Sequence, residues 1–203
     1  MRNSFISASI LAAALSAVPA AAAPIFSDTF DGEDQELNTT LDNWTVSDGT
    51  IDVVGGPSFF DFYPGNGNYV DLDGSTSDAG TITTSTVFSF VAGTYTLTFE
   101  LGGSTRGDSN TVHVSLGGIF AESFTLATDA PLALVTRTIT LNSAMGSGAL
   151  SFAHDGGDNF GLLLDDVTLD YERPDVGVPA PLALSLLLGG LAGTLLRRKA
   201  RSV

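Results

Sequence analysis

The sequence has no cysteine, two histidines, one tryptophan and only eight lysine and arginine residues in 203. Without cysteine there is no disulfide framework, no thiolate nucleophile and no thiolate-ligated zinc or iron–sulfur centre. Two histidines exclude a three-histidine metal site. Positive charge is scarcer where it matters than the total implies. All 23 acidic residues lie between Asp28 and Asp175, and the only basic residues in that stretch are Arg106, Arg137 and Arg173. Its formal balance is therefore −20, against −15 for the whole chain. A surface this acidic repels a phosphate backbone, which proteins bind through Lys and Arg, so nucleic acid is excluded as a partner.

Catalytic motifs are also lacking. There is no G-x-S-x-G elbow, no H-E-x-x-H and no glycine-rich phosphate loop ahead of a helix. Paired carboxylates for glycoside hydrolysis are defined by their separation in space, and the sequence singles out no pair. The Asp71 to Asp78 stretch lacks the closing Glu of an EF-hand and reads as a solvated acidic turn. His113 falls on the polar face of a strand, and His154 closes a strand into the Gly156-Gly157 turn.

What is present begins with the two ends. Residues 1–23 carry Arg2, an apolar stretch and the small-residue run Ala20-Ala21-Ala22-Ala23, the three-part build of a secretory signal peptide with cleavage after Ala22. At the other end, residues 181–196 are uncharged and span about 24 Å as a helix at ~1.5 Å per residue, a short transmembrane segment that Arg197, Arg198, Lys199 and Arg201 would hold with its end inside. The three segments are thus a signal peptide (1–22), an exported domain (23–175) and a tail (176–203).

The tail, with Val178-Pro179-Ala180-Pro181, a Leu/Gly/Ala-rich span and the basic end Arg197-Arg198-Lys199, resembles the PEP-CTERM class of bacterial sorting signals. Ala180 stands where the name-giving pattern has Glu, which brings the motif nearer the VPLPA-type variant. The resemblance implies an exosortase-type processing enzyme as partner, transient anchoring in the inner membrane, and a final location at the cell surface or outside the cell. A plain single-pass anchor is the alternative. The expected role is non-enzymatic, as a component of an exopolysaccharide or biofilm matrix; a carbohydrate-binding or adhesive module is the alternative, and a glycan hydrolase on the same scaffold is the third reading.

Within the domain the period is two. Tyr95, Leu97, Phe99 and Leu101 alternate with Thr94, Thr96, Thr98 and Glu100, and Val112, Val114 and Leu116 alternate with Thr111, His113 and Ser115. Turn signals such as Pro64-Gly65-Asn66-Gly67, Arg106-Gly107-Asp108 and Asp155-Gly156-Gly157-Asp158 separate such runs. Eight to eleven short strands in this pattern predict an all-β sandwich of jelly-roll type. The opening Phe26-Ser27-Asp28-Thr29-Phe30 and the closing Leu163-Leu164-Asp165-Asp166-Val167 resemble the first and last strands of galactose-binding-like sandwiches, a superfamily that includes many carbohydrate-binding modules.

Two candidate sites follow. Strict alternation puts Asp165 on one face with Leu163, Val167, Leu169 and Tyr171, so it is expected to be a buried carboxylate in need of a partner. The galactose-binding-like resemblance implies a structural calcium there, with Asp28 or Asp31 as further ligands; an Asp capping a bulge through backbone amides is the other reading. The second site is aromatic. Trp44, Phe60 and Tyr63 lie at loop junctions where a ring can reach solvent and stack on a sugar, with polysaccharide as ligand, or else pack the sandwich edge.

Overall fold

A computed structural model describes residues 23–56 and 60–174. The signal segment and the sorting tail, with Val178 to Pro181 and Arg197 to Lys199, lie outside the described residues. Among the described residues there is no helix, and no helix long and apolar enough to cross a membrane.

The alternation sorts side chains as anticipated. In β7 (Gly93–Gly102), Tyr95, Leu97, Phe99 and Leu101 point inward at 0–2% exposure while the intervening threonines stay half-exposed. β8 (Asn110–Leu116) repeats this with Val112, Val114 and Leu116. The remaining strands are β1 (Phe26–Asp28), β2 (Trp44–Ser47), β3 (Asp52–Gly55), β4 (Asn68–Asp71), β5 (Thr81–Thr84), β6 (Phe88–Phe90), β9 (Phe120–Leu126), β10 (Ala133–Leu141), β11 (Gly146–Gly148), β12 (Leu150–Asp155) and β13 (Leu163–Glu172).

The strands form an antiparallel sandwich. One sheet runs β10-β7-β13-β4-β3 with β1 added to β13; the other runs β2-β5-β12-β8-β9, and β6 pairs with β11. Each sheet contributes one apolar face to a common core that includes Trp44, Ile82, Phe99, Phe152 and Leu169. This is the two-layer solution that half-apolar strands dictate.

β13 has β7 along one side, but on the other it pairs with β4 at Leu163 and Leu164 and with β1 at Val167 to Leu169. Between the two partners its register with β7 slips by one residue: Asp165 opposes Glu100, whereas Thr168 opposes Thr98. Asp166 takes a left-handed φ of 48° at this bulge. The extra residue overturns the expected facing of Asp165. It shares the outer face with Leu163 and Glu100, while Val167 and Leu169 face the core.

A second, smaller core lies on that outer face. In the segment ahead of β4, Phe62 and Tyr63 pack on Val54, Tyr69 and Leu163. The Tyr63 hydroxyl donates to the carbonyls of Gly103 and Ala130 at 3.0 and 2.7 Å, pinning the segment to the end of β7. The sandwich therefore has two different poles. At one, Ile25 N donates to Leu169 O, so both flanks of the domain leave side by side. At the other, β13 begins, β7 ends, and β3 meets β4 at Asp52 opposite Asp71.

Candidate functional site

The pole away from the domain's ends carries a cleft of about 160 Å³ lined by Phe60, Phe62, Asp52, Asp71, Arg106 and Asn159, among others. Asp71 is the last residue of β4 and is 1% exposed. Its carboxylate takes a hydrogen bond from Asp73 N at 3.2 Å and an ion pair from Arg106 Nη2. Burial nevertheless raises its pKa to about 7, with Arg106 opposing the shift and Asp52 adding to it. Gly161 has no room for a side chain, because a Cβ would stand 2.2 Å from Asp71 Oδ1 and 2.3 Å from Asp73 N. That close approach lets the 156–161 loop close over both aspartates.

Arg106 follows β7 directly after Thr105, which has a left-handed φ of 59°. Its Nε donates to Ser104 O, and its guanidinium lies between the rings of Phe62 and Phe160, 4.7 and 5.1 Å from their centroids. Sequence reading treated Arg106 only as part of a turn. The available signal was its isolation as one of three basic residues in a strongly acidic domain.

Two further groups behind the cleft depart from expectation. Asp73 is wholly buried rather than part of a solvated turn, and neither carboxylate oxygen has a hydrogen-bond partner. Its pKa is raised mainly by burial, opposed by the approach of the Gly157 and Asp158 amides. His154 is 7% exposed; its Nε2 accepts from Leu162 N at 3.2 Å and Nδ1 has no partner. Burial lowers its pKa to about 4, so the ring is neutral at physiological pH.

The three aromatic candidates separate. Phe60 is 59% exposed, holds a left-handed φ of 47°, and stacks on Phe62 at 6.4 Å with an interplanar angle of 10°. A bulky residue in that backbone region is a true outlier of the kind that clusters at ligand sites. Tyr63 is near the cleft but spends its hydroxyl on the backbone. Trp44 is corrected: it is 3% exposed, its Nε1 donates to Asp28 Oδ2 at 2.8 Å, and it packs edge-on against Phe26 and Phe152. A loop-strand junction facing the opposite sheet buries its ring.

The acidic candidates separate as well. One carboxylate oxygen from each of Glu100, Asp165 and Asp166 lies within 4.8 Å of the other two. Asp165 is 2% exposed and accepts only the Asp166 amide, at 2.8 Å. Burial raises its pKa to about 7, and the charges of Asp166, Asp31 and Glu100 add to the rise. Asp31 is thus in electrostatic reach and accepts Asn68 N at 3.0 Å. Asp28 is turned away, bonded to Trp44, Asn43 and the Phe30 amide. Glu100 was not foreseen, because its nearness to Asp165 depends on the bulge.

No protein-family model matches the chain, and no curated protein matches it. Solved structures with a similar sandwich include the K3 adhesin domain of Lys-gingipain from Porphyromonas gingivalis, at 18% identity and a TM-score of 0.48 over 73% of this chain and 99% of that one. The CBM22-1 xylan-binding domain of Paenibacillus barcinonensis Xyn10C is similar at 12% identity and a TM-score of 0.46, covering 77% of this chain and 99% of that one. The C-terminal CBM6 of LamC from Zobellia galactanivorans matches at 10% identity and a TM-score of 0.42, over 64% and 93% of the two chains.

Proposed function

We propose that this chain is an exported, surface-associated or matrix protein whose jelly-roll, galactose-binding-like domain holds a polysaccharide at the pole cleft. The observation that carries the reading is Phe60, an exposed ring held out by a left-handed backbone beside Arg106 and Asn159. A ring platform with a few polar groups alongside is what sugar stacking requires. The signal segment supports export, and the tail supports processing by an exosortase-type enzyme after a transient stay in the inner membrane.

The reading is non-enzymatic. The two carboxylates that line the cleft are committed: Asp52 accepts from Asn38 N, Ser75 N and Ser75 Oγ, and Asp71 from Arg106 and Asp73 N. On the open face of the other sheet, His113 bridges Ser123 at 2.7 Å and Asp155 at 3.0 Å. That chain of groups resembles a hydrolytic triad in composition alone. It lies on the open face of β8, β9 and β12, where the His113 and Asp155 side chains are 51% and 64% exposed and solvent weakens their pairing.

The test is affinity electrophoresis of the wild type and Phe60→Ala in gels containing the producing cell's own exopolysaccharide. Retardation of the wild type that Phe60→Ala loses supports the reading; equal mobility with and without glycan defeats it.

The bulge supports a second element, a structural calcium held by Glu100, Asp165 and Asp166 with Asp31 nearby. Hard oxygen donors in irregular geometry suit that ion, and it would neutralise a carboxylate that the fold buries among like charges. A melting temperature that rises with calcium and falls with chelator supports it. No response to either counts against it.

A further inference from the structure

The glycan reading leaves open what kind of sugar the cleft takes, and the hydrogen bonds already spent around it narrow the choice. The buried carboxylates are committed to Arg106, Ser75 and backbone amides. Two polar groups lining the cleft remain without a hydrogen-bond partner among the described residues: Arg106 Nη1 and the side-chain amide of Asn159. The guanidinium can only donate, so the group that meets it must accept.

Charge decides which acceptor. Asp52 and Asp71 line the cleft, Asp73 lies in electrostatic reach of Arg106 and Asp158, and among the described residues Arg106 is the only cation lining it. A sugar carboxylate would bring another negative charge into that field. A sugar ammonium would suit the field but has no lone pair for Arg106 Nη1. A neutral acceptor answers both constraints; every sugar offers hydroxyls, and an amide carbonyl is the stronger acceptor of the two. The apolar part of the lining, Phe60 and Phe62 with the 36%-exposed Leu37, offers a place for a methyl group beside that carbonyl. The volume of about 160 Å³ is well below the roughly 300–1,000 Å³ of pockets for drug-sized ligands, and suits one sugar ring.

We propose that the pole cleft binds an N-acylated sugar residue, with the acyl carbonyl accepting from Arg106 Nη1 and the Asn159 amide and the acyl methyl against the Phe60 and Phe62 rings. This rests on the glycan-binding reading above, and it adds the chemical class.

The experiment is calorimetric titration of the full-length protein in detergent with three probes of equal length: an N-acetylglucosamine trisaccharide, its de-N-acetylated form, and the corresponding glucose trisaccharide. The acetylated probe should bind about tenfold more tightly than glucose, the value of one net charge-assisted hydrogen bond. Asn159→Ala should shrink that preference, Phe60→Ala should remove binding, and Thr138→Ala on the outer face of β10 should leave both unchanged. Glucose binding as tightly as the acetylated probe, or the amine binding most tightly, overturns the proposal while the glycan reading stands. No binding of any probe, together with no retardation in the exopolysaccharide gels, defeats both.

Discussion

Asp71 and Asp165 are the same residue type, buried to 1% and 2% exposure in adjacent strands, and both are raised to about 7. They differ in company. Asp71 has Arg106 across an ion pair and a ring on each side of that cation. Among the described residues Asp165 has no cation beside it and three carboxylates around it. The difference shows two ways in which a fold can hold a buried acid. One neutralises it with the single arginine the pole can spare. The other leaves the charge to a proton, or to an ion from outside.

The largest effect is expected from removing the arginine. Arg106→Ala strands Asp71 and should cost about 3 kcal/mol in urea unfolding at pH 8, less at pH 5 where Asp71 can take a proton. An equal cost at both pH values would show that the guanidinium acts by packing between Phe62 and Phe160 rather than by charge. Asp165→Asn should do the opposite. In chelator it relieves repulsion and should stabilise on the order of 1 kcal/mol, while abolishing any gain from calcium.

Next comes the dependence on pH. Both aspartates have folded pKa values near 7 against an ordinary 3.8, so the folded state holds extra protons between those values and stability should fall as pH rises from about 4 to 7. His154, lowered to about 4 from 6.5, runs the other way and loses stability as pH falls through that window. Two aspartates outweigh one histidine, so a net decline is expected in melting temperature measured across pH 4.5 to 7.5. Saturating calcium should remove the Asp165 share and leave that of Asp71. An unchanged profile would mean that the bulge holds no ion. The smallest effect is Phe60→Ala, whose exposed ring should alter stability by no more than about 0.5 kcal/mol while binding is lost.

How far the sequence reached follows from which distances each feature spans. The inward residues of β7 and β8 were legible because alternation is local and every second side chain meets the same environment. The face of Asp165 was not, since one bulge residue shifts the count and nothing local marks where β13 changes its partner from β4 to β1. Trp44 was read as a loop ring because its junction is local while its partners, Asp28 and Phe152, are distant in sequence. That some ring among Phe59, Phe60, Phe62 and Tyr63 reaches solvent was legible, because four aromatics in a short run cannot all be buried; that it is Phe60 was not, because its left-handed backbone decides it. Arg106 and Asp73 were missed together: each sits among turn residues, and only the fold brings them beside Asp71.

The arrangement of the poles also has a mechanical side. β13 is ten residues long, roughly 30 Å at ~3.3 Å per residue, and it joins the cleft pole to the point where the chain leaves at Glu172. A load between a ligand at the cleft and the departing chain runs lengthwise along β13, which is laddered to β7 over most of its length. Those hydrogen bonds are strained together, in shear, instead of being peeled one after another. A domain so loaded resists pulling best along that one direction.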